Sequence, residues 1–250
     1  MNLGDRVLLL DEQGKTHLIR IQEEEFHTNK GIIKLEDIAN KEPGDKIESH
    51  TGEKFTILEP SMADQLKKIK RDPQIVQPKD ASQIIAHTGI GPASKIVDAG
   101  TGSGALAIFL GNIVRPNGKV YSYEIREDFI EIAKENIDKV GLEEIIEVKN
   151  QDIYEGINES DLDLIVLDLP NPEKVLKHAE EALKPGGYLS AYSPCIEPIK
   201  RLYEEFRNFK FQNYKTIECL VRELDVKENC TRPKTRMTAH TGYLTFARRI

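Results

Sequence analysis

A glycine-rich turn that directly follows a short apolar run is the feature that most constrains the fold of this chain. The run at residues 95–97 leads into DAGTGSG at residues 98–104, and a helical pattern continues to residue 112. Glycines at this spacing let the backbone turn sharply and approach a ligand closely, and the helix start adds free N–H groups. Open α/β sheets bind ligands at such strand–helix turns.

The chain around this turn alternates between strand and helix patterns. Apolar runs at residues 119–123, 145–148, 163–167 and 188–192 are separated by helical patterns at 127–140, 172–183 and 197–208. Within residues 127–140, the predicted buried face comprises Phe129, Ile132, Ala133, Ile137 and Val140. This alternation predicts an α/β fold with a doubly wound, Rossmann-like sheet over residues 78–250.

Residues 1–60 follow a different pattern. Short apolar runs at 6–10, 17–21, 31–33 and 54–58 are separated by turns, which predicts a small β-barrel-like domain. Residues 61–77 are polar and helix-forming, and Asp72-Pro73 ends that run, so we predict a helical linker there.

Charge and composition limit the function classes. The net charge is −7, which argues against nucleic acid as a partner, but residues 231–250 carry five basic side chains and no acidic one. A second basic cluster lies at 64–79, and either cluster could bind phosphate or simply face solvent. No apolar run approaches the roughly 18 residues of a membrane helix, and the N-terminus lacks a signal-peptide pattern. We therefore expect a cytoplasmic protein with no membrane contact.

The three cysteines are Cys195, Cys219 and Cys230, and none forms a CxxC pair. A zinc site is therefore not expected, and free thiols are the default in a cytosolic protein. A Cys195–Cys230 disulfide, within or between subunits, stays open.

Carboxylates around the glycine turn favour S-adenosylmethionine as its ligand. The turn also satisfies the dinucleotide pattern G-x-G-x-x-G/A, but Asp98 precedes the first glycine and Gly104 comes early. A cationic sulfonium with an amino-acid tail needs carboxylate and backbone partners more than a pyrophosphate cradle. Glu124 ends the next strand, where an acid can accept the ribose hydroxyls, or else serve a helix N-terminus. Asp152 could contact the adenine edge or only cap a loop.

Asp168 emerges from the apolar run 163–167 into DLPNP, at the predicted ligand edge. An acid in that position is a candidate for substrate chemistry, although it could instead cap the next helix. The predicted cofactor-binding residues are Asp98, Gly100, Thr101, Gly102, Ser103, Gly104, Ala105, Leu106, Glu124, Arg126, Asp152, Ile153 and Asp168.

Several segments together resemble one family. They are QPKDAS at 77–82, the glycine turn, YEIR at 123–126, DLP at 168–170, AYSP at 191–194, HTGYL at 240–244 and ARR at 247–249. Over most of its length the chain resembles the TrmI family of tRNA methyltransferases. These enzymes modify N1 of adenine at position 58 of the T loop, and archaeal members also modify position 57.

The resemblance implies a class I methyltransferase sheet, a homotetramer, tRNA as the partner, an N-terminal domain that helps to bind it, and no metal. It implies that Asp168 lies against the target adenine and that Tyr192 helps to hold the flipped base, so these two are the predicted catalytic residues. The role of Gln77 stays open, because the family varies at that position. The predicted substrate-binding residues are Gln77, Pro78, Pro170, Tyr192, Arg236 and His240.

Other functions share the glycine turn. A corrin-type small-molecule methyltransferase or a protein isoaspartate methyltransferase would not explain residues 1–60 or the basic tail. A nicotinamide-dependent oxidoreductase lacks support, because no Tyr-x-x-x-Lys pattern follows the turn. A non-catalytic subunit is disfavoured by the intact glycine turn and by Asp168.

Overall fold

The computed structural model describes residues 1–70 and 75–250 and divides into two compact units, Met1–Ile69 and Lys70–Ile250. The division falls inside the segment 61–77 that the sequence analysis treats as a linker. Helix α1 (Met62–Leu66) lies in this segment, and its N-cap Ser61 exchanges hydrogen bonds with Asp64 in a capping box. The predicted helix end at Asp72-Pro73 lies outside the described residues.

The N-terminal unit is built from antiparallel strands. They are β1 (Arg6–Asp11), β2 (Thr16–Arg20), β3 (Glu25–Thr28), β4 (Gly31–Lys34), β5 (Lys46–Glu48) and β6 (Lys54–Leu58). A sheet in the order β2-β1-β6-β5 and a separate β3-β4 hairpin enclose an apolar core that includes Leu9, Phe55 and Ile57. Strands β3 and β5 were not predicted from the sequence, because both are short and neither carries an apolar run.

The C-terminal unit contains the expected doubly wound sheet. The strands of this unit are β7 (Lys95–Ala99), β8 (Lys119–Glu124), β9 (Ile146–Asn150), β10 (Leu162–Leu167), β11 (Leu183–Ser193), β12 (Phe211–Glu218), β13 (Leu224–Asp225), β14 (Arg232–Pro233) and β15 (Tyr243–Arg249). All but β13 and β14, which pair with each other, belong to the sheet. Its helices are α2 (Pro78–Thr88), α3 (Ala105–Val114), α4 (Glu127–Val140), α5 (Leu176–Ala182) and α6 (Ile196–Glu205). Single 3-10 turns lie at Ile153–Glu155, Pro172–Val175 and Phe206–Asn208 in this unit, and at Leu35–Ile38 in the N-terminal unit.

The strand order explains where a ligand site can form. Within the described residues a seven-stranded sheet runs β12-β15-β11-β10-β7-β8-β9, with parallel neighbours from β11 to β9 and an antiparallel β15. The chain leaves β7 toward β8 on one side, and β10 returns on the other side. The carboxyl ends of β7 and β10 therefore flank the crevice in which such sheets bind ligands.

Burial accounts for most of the pattern that predicted this sheet. From Leu164 to Leu167, β10 is completely buried, as expected for a strand covered by helices on both faces. Strands β12 and β15 escaped sequence analysis because polar side chains interrupt them and no helix separates them from the loop arm 219–242. In the described ranges, we find no helix long and apolar enough to cross a membrane.

Candidate functional site

The backbone of the glycine turn packs directly against the backbone at the end of β10. Gly100 has a φ of +97°, and a Cβ built on it would lie 2.4 Å from the carbonyl oxygen of Asp168. The Asp168 N–H in turn donates to the Ala99 carbonyl at 2.9 Å. Only glycine fits at position 100, because both the left-handed backbone and the close approach exclude a side chain.

Glu124 anchors the turn through its carboxylate. One carboxylate oxygen accepts from the Gly102 N–H at 3.0 Å, and the other accepts from the N–H groups of Ile125 and Arg126 at 2.9 and 3.1 Å. The side chain is 8% exposed. Since a carboxylate has about four acceptor positions, about one remains for a further donor such as a ribose hydroxyl.

Asp98 lies behind the turn. It is 1% exposed, and one carboxylate oxygen accepts from the Ser122 hydroxyl at 2.8 Å, while that hydroxyl also meets Thr101 Oγ1 at 2.7 Å. The other oxygen is buried and has no hydrogen-bond partner among the described residues. Burial, opposed by the Ser122 hydrogen bond and reinforced by the charges of Asp168 and Glu124, raises the pKa of Asp98 to about 7.

A cavity of about 290 Å³ opens in front of the turn. Of the residues predicted to bind a cofactor, its lining contains Gly100, Thr101, Gly102, Ser103, Ala105, Leu106, Glu124, Arg126 and Asp168. The predicted residues that lie outside this lining are Asp98, Gly104, Asp152 and Ile153. Residues that sequence reasoning missed complete the wall, namely Ile75, Val76, Ile125, Phe129 and Leu169.

Ile125 and Phe129, two lining residues that were not predicted from the sequence, come shortly after Glu124 in the chain. Ile125 lines the cavity and is 63% exposed. Exposure of a large apolar side chain marks a binding site, but exposure cannot be read from the sequence. The expectation that Phe129 belongs to the buried face of α4 is wrong: it is half-buried and lines the cavity, while Ile130 points into the core. The Arg126 guanidinium lies 3.7 Å above the Phe129 ring. Together they form an apolar and cationic flank of the cavity.

Asp152 and Ile153 support the neighbouring loop. The Asp152 carboxylate accepts from the Tyr154 N–H at 2.9 Å and so caps the 3-10 turn, and the Ile153 side chain is buried. The observed contact is therefore the loop cap, which was the alternative reading of Asp152.

Asp168 is the acid that faces into the cavity from the end of β10. Burial raises its pKa to about 6. An acid with a pKa this close to neutrality, held in a cleft between two strand ends, is suited to exchange hydrogen bonds with a reacting base. The cavity lining thus contains two acids, Glu124 and Asp168.

A second cavity, of about 500 Å³, gathers most of the predicted substrate residues. Gln77, Pro78, Arg236 and His240 all line it, together with Lys79, Val221, Glu223, Lys234, Met237, Thr238 and Thr241. Residues 75–78 run between the two cavities, since Ile75 and Val76 line the first cavity and Gln77 and Pro78 the second.

Pro170 and Tyr192 lie outside both linings. The Pro170 carbonyl accepts from Arg201 at 2.9 Å. Tyr192 is 6% exposed, and its hydroxyl donates to the Thr241 carbonyl at 2.5 Å. In this conformation, neither face of the Tyr192 ring is open to stack on a base.

The remaining expectations concern cysteines and metals. Cys195 and Cys230 are exposed, Cys219 is half-buried, and all three are free. In the part of the chain that the structure describes, no group of three His, Cys, Asp or Glu side chains could hold a metal ion.

Comparisons with known proteins agree with this geometry. The family model described as "tRNA methyltransferase complex GCD14 subunit" matches residues 65–232, and the model "TrmI-like N-terminal" matches residues 1–47. The chain is 39% identical to the tRNA (adenine(57)-N(1)/adenine(58)-N(1))-methyltransferase TrmI of Methanocaldococcus jannaschii, over 96% of this chain and 94% of that protein.

Two solved structures are similar over the whole chain. A protein from Thermotoga maritima, described as an S-adenosylmethionine-dependent O-methyltransferase, is 36% identical with a TM-score of 0.90, and 94% of it is covered. The tRNA (m1A58) methyltransferase TrmI of Aquifex aeolicus is 26% identical with a TM-score of 0.82, and 98% of it is covered.

Proposed function

Because the chain belongs to the TrmI family of S-adenosylmethionine-dependent tRNA (adenine-N1)-methyltransferases, we propose that it methylates N1 of adenine in the T loop of tRNA, at position 57, 58 or both. The observation that carries the proposal for the site is the juxtaposition of Asp168 with the glycine turn. The backbone of Gly100 touches that of Asp168, so a base held at Asp168 lies beside whatever the turn binds.

The residues present fit S-adenosylmethionine. The turn lines the cavity with the small residues Gly100, Thr101, Gly102 and Ser103, and the acids in the same lining suit a cationic sulfonium and an amino group. We propose that residues 100–106 hold the amino-acid portion, that Glu124 receives a ribose hydroxyl, and that Ile125 and Phe129 flank the adenine. When bound, this group supplies an electrophilic methyl carbon.

The role of Asp168 follows from the chemistry of adenine. N1 has a lone pair in the ring plane, so no proton must leave before it attacks, and the product carries a positive charge. A carboxylate that accepts from the exocyclic N6 amino group pushes electron density toward N1 and stabilises that charge. The other task of the protein is alignment of N1 with the methyl carbon at short distance.

The pKa of Asp168 predicts an acidic limb in the rate profile. The neutral acid can still accept a hydrogen bond from N6, but only the ionised carboxylate carries the negative charge that stabilises the positive charge on the base. Because the pKa lies near 6, kcat/KM should fall about tenfold per pH unit below about pH 6. The measurement is the rate of tRNA methylation at saturating cofactor between about pH 5 and 8. Saturation separates this effect from titration of Asp98, which would act on cofactor binding.

A variant distinguishes Asp168 from other groups. Asp168→Asn cannot titrate, so its residual rate should show no limb near pH 6. A wild-type profile that stays flat to pH 5, with tRNA binding unchanged, would contradict the role of Asp168.

The second cavity supports a role in substrate binding. We propose that Gln77, Pro78, Arg236 and His240 border the path of the RNA, since they line one cavity and Gln77 directly follows Val76, which lines the first cavity. The target base must leave its stack to reach Asp168, at a cost of a few kcal/mol, which contacts to the RNA backbone would offset. The hydrogen bond from Tyr192 to the Thr241 carbonyl supports a role for Tyr192 in shaping this wall rather than in stacking. For Pro170 we keep the proposal that it contacts the substrate beside Asp168.

Domain roles and assembly belong to the same proposal. We propose that residues 1–60 form an RNA-binding domain, that residues 61–77 connect it to the methyltransferase domain at 78–250, and that the enzyme is a cytoplasmic homotetramer. Exposed apolar side chains on the loop arm 219–242, Leu220, Leu224 and Val226, support an interface between subunits there.

The function is tested with labelled S-adenosylmethionine and unmodified tRNA. Nuclease digestion and mass spectrometry of the product should locate N1-methyladenosine in the T loop. A ribose O-methylated nucleoside, or no incorporation despite cofactor binding, would contradict the proposal and favour an O-methyltransferase or a small-molecule enzyme.

A further inference from the structure

His240 makes a contact with each ring nitrogen. Nδ1 lies 2.6 Å from a carboxylate oxygen of Glu218, at the end of β12, and Nε2 lies 2.9 Å from the Pro194 carbonyl, between β11 and α6. Both partners are acceptors. A neutral imidazole has one N–H, so it could satisfy only one of them and would set a lone pair against the other. With Glu218 ionised, only the doubly protonated imidazolium donates to both partners.

The charged groups around the ring agree with this assignment. Glu218 and the Pro194 carbonyl raise the pKa of His240 above its ordinary value, and the Lys79 ammonium, from α2, opposes them. The fourth neighbour is the Tyr243 ring of β15, with ring centroids 4.9 Å apart. Protonation is thus set by contacts from separate elements that meet at this ring.

The next two residues continue the same junction. The Thr241 hydroxyl accepts from the Lys79 ammonium and donates to Asp80, both at 2.7 Å, and Asp80 is completely buried. A Cβ on Gly242 would lie 2.5 Å from the Tyr192 ring, so the segment is tightly seated. Residues 240–242 therefore join α2, β11 and β12 in one short stretch of chain.

This junction forms part of the wall of the second cavity. His240, Thr241 and Lys79 line it beside Gln77 and Arg236. Thr241 stays bound to Lys79 and Asp80 without His240. Loss of one His240 contact would therefore detach the start of the segment, at residue 240, from β12 or from the Pro194 loop and change the shape of that wall.

We propose that His240 is a positioning residue that acts as a cation: as an imidazolium it clamps residues 240–242 between Glu218 and Pro194 and keeps the second cavity in the form that binds the substrate RNA. This inference rests on the proposed function, because it takes the second cavity as part of the RNA path. Because the clamp needs the proton, it is present at low pH and is lost as pH rises through the raised pKa of His240.

The protonation state is measured first, on the intact protein. Histidine labelled with 13C at Cε1 gives one signal for each of six histidines, and the signal missing in His240→Gln identifies His240. We expect it to titrate above the ordinary histidine range. A His240 that is neutral at pH 6.5 would overturn the proposal without any reference to RNA.

The second measurement is the pH dependence of tRNA binding and turnover. At pH 6.5, His240→Gln should raise KM for tRNA about tenfold or more, since a hydrogen bond to a charged group contributes about 1.5–3 kcal/mol, while kcat stays within about twofold. His240→Arg, which keeps the charge, should remain near wild type and lose the rise in KM at high pH. His178→Gln, a histidine on α5 outside both cavities, should keep the wild-type profile.

The outcomes are separable. A His240→Gln enzyme that retains the wild-type KM and its pH dependence would overturn the clamp. If His240→Gln lowered kcat and raised KM equally at every pH, and also lowered Tm, the role of His240 would be purely structural. That result would also overturn the clamp. Failure of the proposed function instead appears as absence of methylated tRNA in the wild type and in every variant, with the ring titration unaffected.

Discussion

Asp168→Ala is expected to lower kcat for tRNA methylation by about 10²–10³, because removal of one preorganised group that stabilises transition-state charge has an effect of that size. Cofactor affinity should change only a few-fold, since Gly100 to Leu106 and Glu124 remain in place. Single-turnover rates at saturating tRNA and equilibrium titration of S-adenosylmethionine measure the two quantities separately.

The controls for this variant come from the same strand. Asp163→Asn removes a carboxylate at the opposite end of β10, where it accepts from the Lys95 N–H and pairs with Lys184. It should lose some stability and keep kcat. A near-normal kcat for Asp168→Ala would remove Asp168 from the mechanism, and equal losses in both variants would point to damage to β10 rather than to chemistry.

Gly100→Ala is expected to weaken S-adenosylmethionine binding by about 100-fold or more. The added Cβ would lie 2.4 Å from the Asp168 carbonyl oxygen, which is backbone and cannot rotate away, and the φ of +97° adds strain of about 1–2 kcal/mol. The turn must therefore shift away from β10, and every backbone group that it presents to the cavity moves with it. Isothermal titration of the cofactor measures the loss, and circular dichroism shows whether the variant is folded.

Gly141→Ala is the matched control for backbone strain. Gly141 caps α4 with a φ of +67°, and nothing lies within 4 Å of its added Cβ. Its variant should lose stability of about the same 1–2 kcal/mol and keep its cofactor affinity. If Gly100→Ala bound the cofactor no more weakly than Gly141→Ala, the close approach at Asp168 would not matter for the site.

The strand–turn–helix unit around Gly100 could be read from the sequence because its determinants are local. A buried parallel strand is continuously apolar, and a tight turn needs glycines. Glu124 and Asp168 were found by the same logic, because acids that directly follow apolar strands lie at the carboxyl edge of the sheet. One expectation of this kind was wrong in detail: helical spacing predicted a buried Phe129, which is half-buried and lines the cavity. Asp98 lies behind the turn, outside the cavity lining, and its role at the cofactor stays a prediction.

Sequence by itself determined the parallel strands β7 to β11, the glycine turn and the two acids that flank it, since hydrophobic period and turn chemistry act over a few neighbouring residues. Only the tertiary structure decided which residues distant in the sequence come into contact. Gln77 and Lys79 share a cavity with Arg236 and His240, and Tyr192 hydrogen-bonds Thr241, because β15 inserts antiparallel between β11 and β12. That insertion brings residues 240–242 onto α2. Contacts between residues more than a hundred positions apart depend on strand order, which no local pattern encodes.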